Sequence, residues 1–556
     1  MAYDDFLAVP LVDGPDASIR AVGDALNLAE TEGVAIYGFF DSRGTAPGGA
    51  GLVRLACLRL LLPTLTTHRN IPFTEFCPPY PFTSVRSPFM LGNYSNALNT
   101  GLATTYARQL PLHDPTNTGT FVGTLRAPLF STPGACWFGF DPEARDVDPV
   151  AGVRGLNKWD RTKTFRGRVF VCSNPVTTTD LYVYVLGKAS GAVSETGTTV
   201  RQTEIYSGVN ALLETSTYLV TSYVSDYQAG DTDEFYIIKV NCSDVDACEV
   251  GGCWIESSET KGIGFVGIGR GSARIESMQT VNPDCSPWLQ AMHAAKPCNL
   301  IVLAFDVNDL AAGQHTAAQW ETYLGDGVDY HRAQMGVGTE VPVIIWIAHE
   351  PVFGSAEATY STNWRQAAGV AKVVANAKTN VVVANTSINV HQWFEATLNW
   401  VPDGNYTGAY GAGVAYAVGD VMGYTDTHWY RCKTATSAGQ TPVSHAAKWL
   451  TLDLAYDPAK TDYERGHGVT YAGRNFAHLG LVASAAGQEP GVHQNWIECP
   501  LYGQYERVHP NANGARLIVD EFIKALRQMM GVASGYADGY AAAAAAGGGG
   551  GQRWPA

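Results

Sequence analysis

The sequence predicts an α/β protein built on a mainly parallel sheet with helices on both faces, a domain that is interrupted twice by β-rich insertions. Three observations carry this expectation. Apolar runs at 34–40, 263–268, 300–305, 343–347 and 381–384 are rich in Val, Ile, Leu and aromatic residues with little polar alternation, as strands buried on both faces require. Segments of helical periodicity at 288–295, 316–335, 364–377 and 513–530 alternate with them, and that rhythm belongs to parallel sheets covered by helices. Between the first run and the second, the pattern changes to short stretches of period two separated by turn residues, the signature of antiparallel β structure.

Taken in order, residues 1–33 form an acidic lead-in with a helical segment at 17–28. The run Val34-Ala35-Ile36-Tyr37-Gly38-Phe39-Phe40 then breaks at Asp41-Ser42 and turns through Gly44, Pro47, Gly48 and Gly49 into a helix-like stretch at 51–62. Ser42 is thereby expected at a strand-to-helix corner, beyond the carboxyl end of a strand, where open α/β sheets place their chemistry. The expected organisation is the lead-in over 1–33 and the α/β domain in three parts (34–75, 259–400 and 456–530). A β-sandwich-like insertion occupies 76–258, a small β-rich insertion 401–455, and a Gly/Ala-rich tail 531–556.

Composition excludes several roles. A net charge of −15 disfavours nucleic acid as a partner, because affinity for phosphate backbones rests on clustered Lys and Arg. No apolar stretch approaches the ~20 residues that span a bilayer, so no membrane insertion is expected. The first residues, Met-Ala-Tyr-Asp-Asp-Phe, lack a basic segment followed by an apolar one. A Sec-type signal peptide is therefore not expected, and the protein would stay in the cytoplasm or leave by another route, within a virion included. The 11 cysteines are spread over 556 residues, and Cys242, Cys248 and Cys253 lack both paired C-x-x-C spacing and a nearby histidine. Neither a metal nor a cofactor is expected.

Four short motifs fall beyond strand ends or ahead of the last helix. Asp41-Ser42 follows one strand, Gly269-Arg270-Gly271 a second and Asp306-Val307-Asn308-Asp309 a third. Glu506-Arg507-Val508-His509-Pro510-Asn511 precedes the last helix. A carboxylate three residues before a histidine reaches Nδ1 across one turn and leaves Nε2 as a base. A serine, a glycine with an open N–H and an asparagine amide are the parts of a nucleophile with an oxyanion hole. Singly, each has a bland reading: Ser42 as a helix cap, Gly271 as a turn glycine, Asn308 as an Asx-turn residue, Glu506-x-x-His509 as a surface turn. His349-Glu350, at another strand end, is a rival base.

In this order the motifs resemble the SGNH (GDSL-type) hydrolase family, which implies a flavodoxin-like three-layer α/β/α fold with a parallel sheet. By that resemblance Ser42 is the nucleophile, His509 the base and then the acid, and Glu506 its orienting carboxylate. The oxyanion hole falls to the N–H groups of Ser42 and Gly271 and the side chain of Asn308. Phe40 and Asp306 stand where the family has glycine, and Glu506 where it has aspartate. No G-x-S-x-G elbow is present at these positions, which sets the α/β-hydrolase family aside.

In the second insertion, Tyr416-x-x-Gly419-Asp420, Trp429-Tyr430-Arg431-Cys432, Pro442 and Trp449 resemble the small chitin-binding type of carbohydrate-binding module. Met422 stands where that pattern has valine. The resemblance implies that Tyr416, Trp429, Tyr430 and Trp449 handle sugar; the bland alternative is that such rings form the core of a module only ~50 residues long. The first insertion resembles, by position alone, the β-rich carbohydrate-binding inserts of some glycan O-acetylesterases. Together these features predict an esterase that removes acyl groups, above all O-acetyl, from a polysaccharide or cell-surface glycan. Two other readings compete: a non-catalytic glycan-binding adhesin or phage tail protein with a spent hydrolase domain, and a lipase or thioesterase. Virion tail proteins or further copies of the chain are its expected protein partners.

Overall fold

The computed structural model describes residues 3–41, 58, 61–67, ten strand segments between 102 and 257, 258, 260–269, 274–276, 286–311, 314–348, 364–391, 400–402, 409–416, 420–464, 467–472, 474–478, 485–490, 492–493, 495–498, 502–504, 510 and 512–531. The central sheet contains β1 (Val12–Asp13), β2 (Gly33–Phe40), β3 (Gly262–Gly269), β4 (Leu300–Ala304), β5 (Val343–Ile347) and β6 (Val381–Asn385). Across the sheet their order is β1-β6-β5-β4-β2-β3. Only β1, at the edge, runs antiparallel to its neighbour. The five parallel strands, counted along the chain, therefore lie 2-1-3-4-5, the doubly wound order of flavodoxin-like sheets.

Helices cover both faces. The first face carries α2 (Ser286–Ala295), α3 (Ala317–Met335) and α4 (Ala367–Ala377), where Tyr37, Phe39, Ile301 and Leu303 pack against Leu289, Trp320 and Val370. The opposite face carries α1 (Asp16–Asn27) and α5 (Ala512–Met529), where Ile36, Phe40, Val302 and Trp346 meet Val22, Leu26, Ile518 and Phe522. Alternate residues of one strand thus serve opposite cores, which explains why β2 reads as continuously apolar. Phe40 is accommodated by Gly38 on the same face, since a Cβ on Gly38 would lie 2.5 Å from the rings of Phe40 and Phe265.

The N-terminal segment, expected as a lead-in, is built into this domain. Asn385 donates its Nδ2 to the carbonyls of Phe6 and Val9, each at 2.8 Å, and so ties the segment to the end of β6. The helix α1 then crosses α5 so closely that a Cβ on Gly23 would sit 2.1 Å from the Met529 carbonyl.

The first insertion is antiparallel β throughout its described strands. One sheet joins Leu102–Gln109, Arg126–Phe130, Thr164–Ser173, Val220–Val224, Gln228–Ala229 and Cys248–Ser257; the other joins Gly134–Phe140, Asp180–Ala189, Thr199–Val209 and Glu234–Cys242. Phe170, paired within the first of these sheets, buries its side chain in the same core as Leu289 and Met292 of α2. The second insertion holds a three-stranded antiparallel sheet of Val421–Gly423, Trp429–Cys432 and Trp449–Thr451.

Beyond that sheet the structure differs from expectation. Residues 454–498 hold a four-stranded sheet of their own, formed by Leu454–Ala455, Gly468–Tyr471, Arg474–His478 and Trp496–Glu498. The strand expected at 480–482 lies outside the described residues, and its described neighbours belong to this small sheet. The chain then reaches α5, which packs on the parallel sheet.

Candidate active site

In a 2-1-3-4-5 sheet the direction of winding reverses between β2 and β4, and loops leaving those two carboxyl ends part to form a crevice. The register aligns the ends: Phe40 is level with Gly269 of β3 and with Ala304 of β4. Asp41 stays attached to the sheet, its N–H donating to the Ala304 carbonyl at 3.4 Å, and its side chain is buried. Ser42, Gly271, Glu506 and His509 lie outside the described residues, as does His349-Glu350. The described residues that adjoin three of the proposed motifs, Asp41, Gly269 and the 305–311 segment, leave the sheet on one rim.

The last helix starts at that rim as well. Near its far end Arg527 donates to Thr64 Oγ1 at 3.2 Å and Met529 meets α1. Its middle is held by Asn389, just past the carboxyl end of β6, whose Nδ2 donates to Glu521 Oε2 at 2.6 Å. The amino end of α5, two residues after the buried Pro510, therefore points toward the carboxyl ends of the strands.

Asn308 is the predicted site residue of the hydrolase domain that is described. It is half-buried within Val307–Ala311, a single turn of π-helix, a geometry found often at functional sites. The next residue anchors this turn. Asp309 is fully buried, and its Oδ1 and Oδ2 accept from the Ile275 N–H at 3.3 and 3.1 Å. Its carbonyl accepts from the N–H of His315 at 3.0 Å, and the His315 ring returns over the pair. His315 Nε2 lies 3.1 Å from Glu276 Oε2 and 3.7 Å from Asp309 Oδ1, set against both carboxyl groups. Arg274 approaches Glu276 at 3.8 Å. The clamp thus fastens the segment at 274–276, which follows Gly271 in the chain, to the turn that carries Asn308.

Burial, reinforced by the charge of Asp41, raises the Asp309 carboxyl well above the usual carboxylate range; the Ile275 N–H and Arg274 oppose this. Burial likewise lowers His315, against the pull of Glu276. Among the described residues no cluster of His, Cys, Asp and Glu has the makings of a metal site. None of their helices is long and apolar enough to cross a membrane. Sequence places Asp309 in the motif with Asn308 but gives it no role, and it singles out neither Ile275 nor His315, because their contacts join segments far apart in the chain. The one available signal was the acidic residue directly after Asn308.

The predicted sugar-handling residues are all described, and they divide by burial. Trp449 is 4% exposed and donates its Nε1 to the Gln440 carbonyl at 3.3 Å. It is an interior residue and not the platform expected from sequence, since so small a sheet has few other large side chains to bury. Tyr416 is half-buried between Trp449 and Tyr410, and its hydroxyl accepts from the Gly411 N–H at 2.7 Å. Tyr430 is also half-buried and donates to Asp426 Oδ2 at 2.5 Å, and burial raises its phenol. Trp429 is half-buried and packs on Val421 and Leu452. Tyr410 and Tyr424, which lie outside the motif positions, extend the same group of rings, with centroids 5.3 Å apart.

No protein-family model matches the sequence, and no curated protein does. Among solved structures the chain is similar to a peptidoglycan O-acetylesterase, at 15% identity over 70% of this chain and 91% of that one, with a TM-score of 0.42. It is also similar to a family two carbohydrate esterase from Clostridium thermocellum in complex with cellohexaose, at 7% identity over 39% of this chain and 79% of that one, with a TM-score of 0.18. A third likeness is to the CBM22-1–GH10 modules of the Clostridium thermocellum endo-1,4-β-D-xylanase 10B with xylohexaose, at 11% identity over 50% of this chain and 48% of that one, with a TM-score of 0.20. At these scores the likenesses carry no part of the functional reading, which rests on this chain's own residues and sheet order.

Proposed function

We propose that the chain is a serine esterase of SGNH type that removes O-acetyl groups from a polysaccharide or cell-surface glycan. The observation that carries this reading is the switch point between β2 and β4: Asp41, which precedes Ser42, and the turn bearing Asn308 emerge there on one rim, toward which the amino end of α5 points. In the proposed reaction Ser42 Oγ attacks the ester carbonyl while His509 takes its proton. The N–H groups of Ser42 and Gly271 and the Asn308 amide hold the oxyanion. The intermediate collapses to an acyl-serine as the sugar alcohol leaves with the proton from His509. Water, deprotonated by His509, then attacks the acyl carbon and releases acetate and free serine. Glu506 orients the histidine, its extra methylene making it the loosest member of the set.

Each oxyanion donor is expected to supply ~2.7–4 kcal/mol of transition-state stabilisation. Ser42→Ala and His509→Ala should each abolish hydrolysis of p-nitrophenyl acetate and acetate release from O-acetylated glycans, with unchanged melting temperature. Full turnover in either variant would refute the assignment. Glycan binding without turnover of any ester by the wild type would favour the adhesin, and a preference for long acyl chains the lipase.

A further inference from the structure

The four-stranded sheet at 454–498 repeats the module that precedes it. In sequence, Tyr416-x-x-Gly419-Asp420 is answered by Tyr463-x-x-Gly466-His467, and Tyr424 by Tyr471. Ala438-Gly439-Gln440-Thr441-Pro442 is answered by Ala486-Gly487-Gln488-Glu489-Pro490, and Trp449 by Trp496. The order and approximate spacing agree, but the paired strands do not share composition: Trp429-Tyr430-Arg431-Cys432 falls opposite Asn475-Phe476-Ala477-His478.

Three hydrogen bonds, a glycine conformation and two ring pairs repeat in the geometry. Gly423 in the first unit and Thr470 in the second accept from the N–H of Tyr410 and of Tyr456, both at 3.0 Å. The hydroxyl of Tyr416 accepts from Gly411 N and that of Tyr463 from Asp457 N, both at 2.7 Å. Trp449 and Trp496 donate their indole N–H to the carbonyls of Gln440 and Gln488, at 3.3 and 2.7 Å. The glycine before each glutamine is left-handed, at φ of 84° for Gly439 and 75° for Gly487. Tyr410 stacks on Tyr416 at 5.6 Å and 24°, and Tyr456 stacks on Tyr463 at 5.8 Å and 22°. Tyr424 then meets Tyr410 edge-on at 5.3 Å, as Tyr471 meets Tyr456 at 5.3 Å. Chance does not align three hydrogen bonds, a left-handed glycine and two ring pairs.

We propose that residues 454–498 are a second copy of the module at 409–453, and that each copy binds a glycan chain, making the protein bivalent for a polymer. This rests on the reading of the first module as a glycan-binding unit. In both copies the tryptophan is buried and hydrogen-bonded and one tyrosine is held by its hydroxyl, Tyr463 buried and Tyr416 half-buried, while a second pair of tyrosines, Tyr410 with Tyr424 and Tyr456 with Tyr471, stays half-buried. Such rings offer apolar faces to the flat side of a pyranose, and a carboxylate bonded to a neighbouring tyrosine hydroxyl, Asp426 to Tyr430 in one copy and Glu489 to Tyr471 in the other, supplies an acceptor for its hydroxyls. Two such units in tandem raise apparent affinity for a polymer by avidity without new contacts.

The test uses the full chain, with soluble chito-oligosaccharide in calorimetry and insoluble chitin in pull-down as probes. Two sites per chain are expected, reduced to one by Tyr410→Ala or Tyr424→Ala, and to one by Tyr471→Ala. Apparent affinity for the polymer should exceed that for the oligosaccharide by about 10²-fold, and fall toward it when either copy is altered. One site in the wild type, lost with the first-copy variants and insensitive to Tyr471→Ala, would overturn the second copy's role and leave the first module's intact. No binding to either probe would overturn both. The wild-type stoichiometry decides the matter even if a variant melts early.

Discussion

Replacing Asp309 by alanine removes the acceptor that holds the Ile275 N–H, and the structure sets the size of the effect. Both partners are fully buried, so water does not replace the lost bond at 3.1 Å. A buried donor left unsatisfied costs about 1–3 kcal/mol, and the vacated carboxyl adds a small cavity to that. The same loss frees the Asn308 turn from the segment following Gly271. A misplacement of about 1 Å in such a positioning group costs on the order of 10²-fold in turnover. Asp309→Asn separates geometry from charge. Burial holds Asp309 toward its neutral acid, so the amide, equally neutral and still an acceptor, should lose no more than about 1 kcal/mol. Thermal melts and acetate-release assays with kcat and KM resolved separately should show Asp309→Ala lowered in melting temperature and in kcat, with Asp309→Asn near wild type. Equal losses in the two variants, or none in either, would refute the clamp.

Other consequences follow from the packing. His331 is buried on α3 against Phe39, its Nδ1 donating to the Gly327 carbonyl at 2.6 Å, and burial lowers it to about 4. Because the unfolded chain binds the proton near pH 6.5 and the folded one only near 4, this contribution is fully present above pH 6.5 and is lost as pH falls toward 4, by roughly 3 kcal/mol. His331→Leu should flatten the acid limb of a melting-temperature profile, and an unchanged limb would exclude His331 as its source. Gly23→Ala would gain about 1 kcal/mol of helix propensity were Gly23 exposed. With a carbonyl 2.1 Å from the new methyl it should instead lower stability measured by denaturant unfolding, as α1 and α5 are forced apart. Phe522→Ala breaks the stack on Trp346, whose centroid is 4.1 Å away, and should cost about 3–5 kcal/mol in the same assay.

The strands of the parallel sheet are legible in the sequence to within a residue or two, because strands buried on both faces must be continuously apolar and such runs are short and bounded. Runs expected at 34–40, 263–268, 343–347 and 381–384 are Gly33–Phe40, Gly262–Gly269, Val343–Ile347 and Val381–Asn385. The helix expected at 513–530 is Ala512–Met529, its apolar stripe facing the sheet. The antiparallel character of the first insertion was legible from period two in the same way. Strand β1 was not legible: two residues carry no periodicity, and only the pairing of Val12 with Ala384 makes them a strand. The second small module was missed because its signature is spaced punctuation, Tyr-x-x-Gly and Gly-Gln-x-Pro, while the strand between those points changed its residues. Of the site, the sequence supplied the residue types and their order. Tertiary structure decided that Asp41 and the Asn308 turn stand beside one another, that Asp309 ties that turn to Ile275, and that Trp449 faces inward. Those are facts of strand order and burial, and strand order comes from how crossovers wind around the sheet, which local composition does not encode.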